Sequence, residues 1–414
     1  MHVVEADCTN AEVGQIDACR LPARAASRPA CALLAFLAAA LACAGDGPPP
    51  SAGPRMVEKQ WTEQQAWQIA SDPVLVLGEM STDPDAEFGD VRGAVATSDG
   101  RIAVVDGYAD AIRIFSPSGQ LVRTIGRSGG GPGEFSDPGG LYLLEGDTLA
   151  LWDLTTRRIT LFDFEGNLAA TERVRGPRSL IAGALSGHHL VTFVDIGGFT
   201  EGVLKGDPFY LSVVGFDGTK KDSIGPFEAR RMFMVRRGLF RLFLDYILDP
   251  RTYVAAADKF FAVGNSSSDS VMLYDTSAQL RAVLRVPSAV RATTPADVQD
   301  YVDRLASGGA SRIDQQWREA HLEMVETVEI PKTLPRFADV RVDGDGHVWV
   351  MEYPTPDQSR HMWYVFDSEG AWLGEVLGPD RSERVLHIGQ SRLLTLARGD
   401  LDVPLIKVYT IHKH

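Results

Sequence analysis

Short apolar runs separated by polar turns recur along the chain from about residue 74 to the C-terminus. Two neighbouring stretches align without a gap at an offset of 47 residues, so that Phe88 aligns with Phe135 and residues 101–106 align with residues 148–153. Alternation of apolar and polar side chains, as at residues 112–114, indicates strands with one buried face. The pattern therefore predicts repeated units of β-strands.

Each unit contains four short strands. An Asp-Gly or Gly-Asp turn, at residues 99–100 and 146–147, leads into the second strand, and a Gly turn ends the third. A period of about 40–50 residues with four strands per unit is typical of a β-propeller blade.

Four weaker copies of the unit follow. They comprise residues 189–193 with 211–218, 254–263 with 271–280, 345–350 with 363–370, and 392–397 with 405–411. The last copy ends after its third strand, whereas residues 74–78 form an apolar run ahead of the first copy. We therefore predict an all-β, six-bladed β-propeller over residues 74–414, with a short helical insertion. Its N-terminal strand closes the last blade, which leaves no open sheet edge.

Two segments resemble a known family. Residues 126–135 (GRSGGGPGEF) resemble a segment of bacterial six-bladed β-propeller lipoproteins with NHL-like repeats, and residues 334–337 with 342–350 resemble a late blade of that family. The resemblance covers roughly residues 74–414 and departs at the third, fourth and sixth blades, where the Asp-Gly turn is absent. Because that family is largely without assigned biochemistry, the resemblance implies a fold far more than a function.

The first 43 residues are typical of a targeting signal. Arg20, Arg24 and Arg28 precede an apolar run over about residues 30–42, which is too short to span a bilayer as a stable helix. The run ends at Cys43, which resembles the lipid-modified cysteine of a bacterial lipobox. We expect a cell-envelope protein, periplasmic or in the outer membrane, anchored by lipid on Cys43. The alternative is a secreted protein cleaved near Ala42 or Ala44.

Residues 1–19 do not fit the basic start of a signal peptide, because they carry four acidic residues and no Lys or Arg. We hypothesise that translation starts near Leu21; detection of residues 1–19 in the cellular precursor by mass spectrometry would contradict this. Residues 44–73, which include three consecutive prolines, are then predicted to form a linker or tether to the propeller.

The composition limits the classes of function. The chain of 414 residues has a formal net charge of -14, which disfavours nucleic-acid binding because phosphate contacts need a positive surface. All four cysteines lie within the first 43 residues, so the predicted propeller contains neither a disulfide nor a zinc-ribbon motif.

Two insertions, residues 220–252 and 288–337, are predicted to connect the fourth strand of one blade to the first strand of the next. Such connections share one face of a propeller, and long loops are often functional. In the second insertion, Thr294 is a predicted helix N-cap followed by Pro295 and Asp297. Apolar spacing then predicts two amphipathic helices, the second with His321 as a packing residue.

The first insertion carries five arginines interleaved with phenylalanines. They are Arg230, Arg231, Arg236, Arg237 and Arg241. Arginine suits bidentate capture of carboxylate or phosphate, so one hypothesis is a site for an anionic small molecule, glycan or lipid headgroup. The alternative is an amphipathic cover whose aromatic residues pack on the propeller while its arginines contact water or acidic groups.

The sequence predicts no catalytic residue, bound metal or cofactor. Metal-ligand candidates for a propeller hydrolase or lyase have no organising spacing. They are His188, His189, His347, His387, Asp195 and Glu352. Turn aspartates could hold Ca²⁺ loosely but need no ion to explain them. They are Asp83, Asp85, Asp343 and Asp345. Asp106 and Asp153 recur once per blade and are predicted to brace a strand-end loop.

We therefore expect a binding module for an anionic ligand or an envelope protein, with its site on the face that carries the insertions. The first alternative is a metal-dependent envelope hydrolase or lyase of the six-bladed type. The second is an interaction platform that uses the helical hairpin as its contact surface.

Overall fold

The computed structural model describes residues 59–79, 86–174, 180–193, 202–238, 240–257, 259–306, 312–399 and 402–413. Predictions for Cys43, the signal segment, residues 44–58, Asp83, Asp85 and Asp195 lie outside these ranges. The described chain consists mainly of β-strands with two α-helices. None of its described helices is long and apolar enough to cross a membrane.

Six four-stranded antiparallel sheets form the blades, preceded by two short strands, β1 (Gln68–Ile69) and β2 (Leu75–Leu77). Blade one comprises β3 (Val91–Ala96), β4 (Ile102–Asp106), β5 (Ala111–Phe115) and β6 (Leu121–Ile125). Blade two comprises β7 (Pro138–Leu144), β8 (Thr148–Asp153), β9 (Arg158–Phe162) and β10 (Leu168–Arg173). Blade three comprises β11 (Leu180–Leu185), β12 (His189–Phe193), β14 (Phe209–Gly215) and β15 (Lys220–Phe227), with β13 (Gly202–Lys205) in the connection between its second and third strands.

The last three blades follow two insertions. Between blades three and four lie β16 (Arg231–Arg237) and β17 (Phe240–Asp245). Blade four comprises β18 (Thr252–Ala257), β19 (Phe260–Asn265), β20 (Ser270–Asp275) and β21 (Leu280–Arg285), and helices α1 (Pro295–Ala306) and α2 (Arg312–Thr327) follow it. Blade five comprises β22 (Phe337–Val342), β23 (Val348–Glu352), β24 (Arg360–Phe366) and β25 (Trp372–Asp380). Blade six comprises β26 (Arg384–Ile388), β27 (Arg392–Arg398), β28 (Pro404–His412) and the N-terminal β2.

The first strands of the blades line the central channel and close into a ring. Each first strand contacts that of the next blade, from β3 through β7, β11, β18, β22 and β26 back to β3. Apolar side chains between adjacent blades form the core, as where buried Ile112 and Ile114 of blade one share a cluster with Leu149 and Leu151 of blade two. The predicted six-bladed, all-β architecture is confirmed.

The predicted closure by the N-terminal strand is also confirmed. Strand β2 pairs antiparallel with β28, with Leu75 opposite Val408 and Leu77 opposite Ile406. Strand β1 extends this pairing, since Ile69 lies opposite Ile411. The Trp61 amide donates to the Leu373 carbonyl of blade five at 2.7 Å. This part of the predicted tether therefore belongs to the propeller, whose contacts begin well before Val74.

The strand-end aspartates brace loops as predicted. The Asp106 carboxylate accepts hydrogen bonds from the amides of Gly89 and Asp90 at 3.1 and 3.0 Å. Asp153 does the same for the amides of Ser136 and Asp137 in the next blade. Burial would raise the pKa of either carboxyl, but these hydrogen bonds outweigh it and hold the pKa below its usual value.

The first insertion is shorter than predicted. Lys220–Phe227 is not inserted but forms β15, the fourth strand of blade three. The preceding turn places Gly218 at a φ of 83°, and the Asp217 side chain accepts a hydrogen bond from the Thr219 amide at 2.8 Å. As an outer strand, β15 exposes its lysines and lacks the apolar pattern that would reveal it.

The second insertion forms the two predicted helices. The amide and hydroxyl of Thr294 donate to the Asp297 carboxylate at 2.8 and 2.6 Å, which caps α1 as expected. The insertion ends earlier than the predicted residue 337, because Phe337 is already the first residue of β22.

Strands β16 and β17 together with α1 and α2 form one unit, which we call the cap. Phe233, Val235 and Leu244 of the hairpin are buried in one apolar cluster with Ala320 and Met324 of α2. Strand β13 adds a third strand, pairing Val203 with Phe233. Both insertions are fourth-to-first connections, so the cap belongs to the predicted face of the propeller, which we call the capped face.

Candidate ligand site on the capped face

The five arginines of the cap hairpin fall into two groups. Three of them form ion pairs: Arg230 with Asp245 at 3.2 Å, Arg231 with Asp249, and Arg237 with Glu323 of α2 at 2.6 Å. These contacts fix the hairpin to its own loop and to the helices. These three arginines fit the alternative given above, an amphipathic cover whose arginines contact acidic groups.

Arg231 makes the most elaborate of these contacts. Its Nε donates to Asp249 at 2.9 Å, and its guanidinium stacks over the Tyr246 ring at 4.2 Å from the centroid. The hydrogen bonds that Arg231 donates to the Asp249 carboxylate raise the pKa of Arg231. Arg231 is therefore a structural residue of the hairpin.

Arg236 and Arg241 form the second group. They lie directly opposite each other on β16 and β17, and both are exposed. Neither guanidinium has a carboxylate partner in the part of the chain that the structure describes. Like charges directly opposite on neighbouring strands are destabilising, so this pair is suited to an external anion between its guanidinium groups.

A central cavity lies in the half of the channel away from the cap. Its volume is ≈ 790 Å³, and its walls come from the C-terminal halves of the first strands and the turns that follow. Its wall contains Asp339 and Arg341, joined by a hydrogen bond of 2.8 Å, and His387. We expected function beneath the insertions, and the structure places this cavity at the opposite end.

The cavity histidine is uncharged at neutral pH. Burial lowers the pKa of His387 to about 4, against the opposing effect of a hydrogen bond to the backbone of Ala96. Its Nε2 makes no hydrogen bond to a described residue. The imidazole of His387 is therefore a neutral part of the cavity wall near pH 7.

The other metal-ligand candidates that the structure describes do not gather at one site. His188 adopts a φ of 60° in the turn before β12, and its ring stacks on Phe216 with centroids 5.2 Å apart. His189 contacts the Ser186 carbonyl at 3.1 Å. Glu352 lies at the end of β23 and accepts a hydrogen bond from the Tyr364 hydroxyl at 3.0 Å.

One group of possible metal ligands does come together, in the turn between β22 and β23. Ligand atoms of Asp343, Asp345 and His347 lie within 4.8 Å of one another. The Lys413 ammonium lies among them, at 2.9 Å from Asp343 and 2.5 Å from Asp345, and over the Trp67 ring at 4.6 Å. This cluster is an acidic turn whose two carboxylates share the chain's own lysine, on the face away from the cap.

Sequence reasoning missed several polar residues next to the cap. Arg251, Tyr253 and Tyr353 lie at the ends of strands in blades four and five, and Tyr301 lies on α1. No motif links them, because three separate segments of the chain contribute them. Only their positions at strand ends on the capped face could have suggested a shared site.

Comparison with known proteins supports the fold. The model of a six-bladed β-propeller family, DUF5128, matches residues 79–182. No curated protein matches the chain. Similar solved structures include a DUF4221-family member from Bacteroides vulgatus, with 9% identity, a TM-score of 0.44, and coverage of 85% of this chain and 100% of that one.

Two further structures are similar. A candidate exported protein from Bacteroides fragilis has 10% identity and a TM-score of 0.43, covering 86% of this chain and 98% of its own. A streptogramin B lyase has 9% identity and a TM-score of 0.35, covering 84% and 98%. At these values the likenesses assign no function to this chain.

Proposed function

We propose that this protein is a cell-envelope lipoprotein whose propeller binds an anionic ligand on the capped face. The supporting observation is the pair formed by Arg236 and Arg241, two exposed guanidinium groups on opposed positions of the cap hairpin. Arg230, Arg231 and Arg237 hold the hairpin in place through ion pairs. The ligand class is a carboxylate- or phosphate-bearing small molecule or glycan, presented by the envelope or by a partner protein.

Replacement of the pair tests this proposal. In the variant with Arg236→Gln and Arg241→Gln, we expect binding of polygalacturonate to the purified mature domain to weaken by about tenfold or more, because each guanidinium contributes charge-assisted hydrogen bonds. Wild-type binding should also fall as salt rises, since exposed charges are screened. Isothermal titration calorimetry at low and high salt measures both effects.

The matched control is the variant with Arg230→Gln and Arg237→Gln, which removes the same charge from the same hairpin. Its arginines are already paired with carboxylates, so its affinity should change less than that of the first variant. Equal losses in the two variants, or unchanged binding in the first, would contradict a specific role for Arg236 and Arg241.

The lipid anchor is a separate part of the proposal and depends on Cys43. We expect the wild-type protein to incorporate a labelled fatty acid and to fractionate with membranes, and the Cys43→Ser variant to do neither. Cys31→Ser, in the same segment, is the control and should behave as wild type. Labelling that survives Cys43→Ser would show that the lipid is attached elsewhere; no labelling of the wild type would indicate a secreted form.

A further inference from the structure

A short turn, residues 381–383, attaches the cap to the last two blades. It joins β25 of blade five to β26 of blade six, and as a fourth-to-first connection it lies on the capped face. Arg381 donates to the Asp300 carboxylate of α1 at 2.7 Å and to the carbonyls of Thr355 and Gln358 at 2.9 and 3.1 Å. The side chains of Arg381 and Asp300 are only 12% and 19% exposed, so their ion pair is weakly screened by salt. This ion pair therefore connects α1 to the propeller.

His361, on β24, supports the same turn from inside the protein. Its Nε2 lies 3.0 Å from the Glu383 carbonyl in the turn, and both residues are buried. A carbonyl only accepts hydrogen bonds, so the neutral imidazole carries its proton on Nε2. Its Nδ1 is buried without a hydrogen-bond partner among the described residues. A Cβ on Gly378 of β25 would lie 3.2 Å from the Cβ of His361, so β25 and the turn together enclose this histidine.

The charged groups around His361 come from four strands and the turn. They are Asp339 on β22, Arg360 on β24, Asp380 on β25, Arg381 and Glu383 in the turn, and Lys407 on β28. Each of the three carboxylates accepts a hydrogen bond from the side chain of another residue. Burial has the largest influence on the pKa of His361 and lowers it, and the charge of Arg381 adds to this lowering. The Glu383 carbonyl and the charges of Asp339 and Asp380 oppose it. His361 is therefore neutral at pH 7.

Protonation of His361 in its enclosed position is unfavourable. It would add a charge and an Nδ1–H donor that has no acceptor among the described residues. Uptake of the proton is more favourable when the turn opens and water reaches the ring, and opening separates Arg381 from Asp300. A histidine whose pKa is lowered in the closed state favours that state above its ordinary pKa, and this preference is lost as the pH falls through that value. Each pH unit below it favours opening by up to about tenfold, because opening takes up one proton.

We propose that His361 is a pH-sensitive switch that loosens the attachment of helix α1 to the propeller in mildly acidic solution. The link from the imidazole to α1 runs through the Glu383 carbonyl and the Arg381 guanidinium, which lie two residues apart in the turn. This inference goes beyond the proposed function, because it concerns the closed and open states of the cap and requires no bound ligand.

Hydrogen–deuterium exchange of the purified mature protein at pH 7 and pH 5.5 tests the switch. Protection factors, which correct for the intrinsic pH dependence of amide exchange, are compared for α1 (residues 295–306) and for β8 of blade two (residues 148–153). We expect α1 to be less protected than β8 at both pH values, as local opening requires. In the wild type, protection of α1 should fall by about fivefold or more between pH 7 and pH 5.5.

Three variants locate the sensor and its link to α1. His361→Gln keeps a donor for the Glu383 carbonyl but takes up no proton, so protection of α1 should change by less than about twofold. The matched control is His321→Gln, which removes an exposed histidine of α2 and should keep the wild-type pH dependence. Arg381→Met removes the contact with Asp300, so protection of α1 should be low at both pH values. This variant tests the link without any change at His361.

Protection of α1 that does not change with pH in the wild type would overturn the inference. Equal pH dependence in wild type and His361→Gln, or in wild type and Arg381→Met, would also overturn it. His387→Asn separates the two buried histidines of the last blades and should keep the wild-type pH dependence of α1. Loss of that dependence in His387→Asn, with retention in His361→Gln, would show that His387 is the sensor and that the inference is wrong.

Discussion

At the scale of single residues, the aspartates at strand ends and turns were the most predictable polar groups. Recurrence at one position per blade identified Asp106 and Asp153 as structural, and their hydrogen bonds to backbone amides agree. Lys413 could not be anticipated, because its contact with Asp343 joins segments 70 residues apart.

Asp343, the buried aspartate of the turn between β22 and β23, makes the stability of the fold depend on pH. Burial would raise the pKa of Asp343, but hydrogen bonds from His347 and the charge of Lys413 lower it to about 2. A carboxyl whose pKa is lowered by folding stabilises the fold above the pKa of the unfolded state and loses that effect as pH falls through the folded value. The lowering of the Asp343 pKa on folding corresponds to about 2 kcal/mol of folding stability. This contribution is present in full at pH 7 and is lost progressively below about pH 4.

We therefore expect Asp343→Asn to lower the free energy of unfolding by about 2 kcal/mol at pH 7, and the gap from wild type to shrink to roughly half by pH 3. Asp345→Asn is the control. Asp345 also contacts Lys413 but is partly exposed, so this substitution should lower the free energy of unfolding by less. Urea denaturation at the two pH values measures these effects. A midpoint for Asp343→Asn equal to that of wild type at pH 7 would show that the Asp343 network adds no stability.

At the scale of elements, strands with a buried face were predicted well. Exposed strands, and strands that pair with a segment remote in sequence, were not. Blades one and two carry clear alternation and an obvious offset, whereas β15 exposes most of its side chains and was mistaken for insertion. Helix α1 was predicted from its N-terminal capping residues, because capping is a local interaction. Pairing of β13 with β16 is non-local and left no sequence signal.

The cap shows why the candidate site was only partly predictable. Five arginines in one segment suggested a single cluster, but strand geometry separates them. Cross-strand register brings Arg236 opposite Arg241, while Arg237 contacts α2. The composition of the segment shows that it is positively charged. Only the pairing register of β16 and β17 shows which guanidinium groups are exposed without a carboxylate partner among the described residues.

At the scale of the whole molecule, the closed ring separates two ends of the channel. Strand β28 pairs with both β1 and β2, so the closing blade is held by two N-terminal strands. The cavity of ≈ 790 Å³ lies at the end with the acidic turn, and the cap with its arginines belongs to the other. The central claim is that the ligand binds at the cap and not at the cavity end.

Hydrogen–deuterium exchange of the mature domain with and without polygalacturonate tests that claim most directly. We expect slower amide exchange on ligand addition in residues 231–237 and 240–245, with no change in the turn at residues 343–347. Protection confined to that turn and to the neighbouring cavity wall at Val95 and Ala96, or no protection anywhere, would contradict binding at the cap.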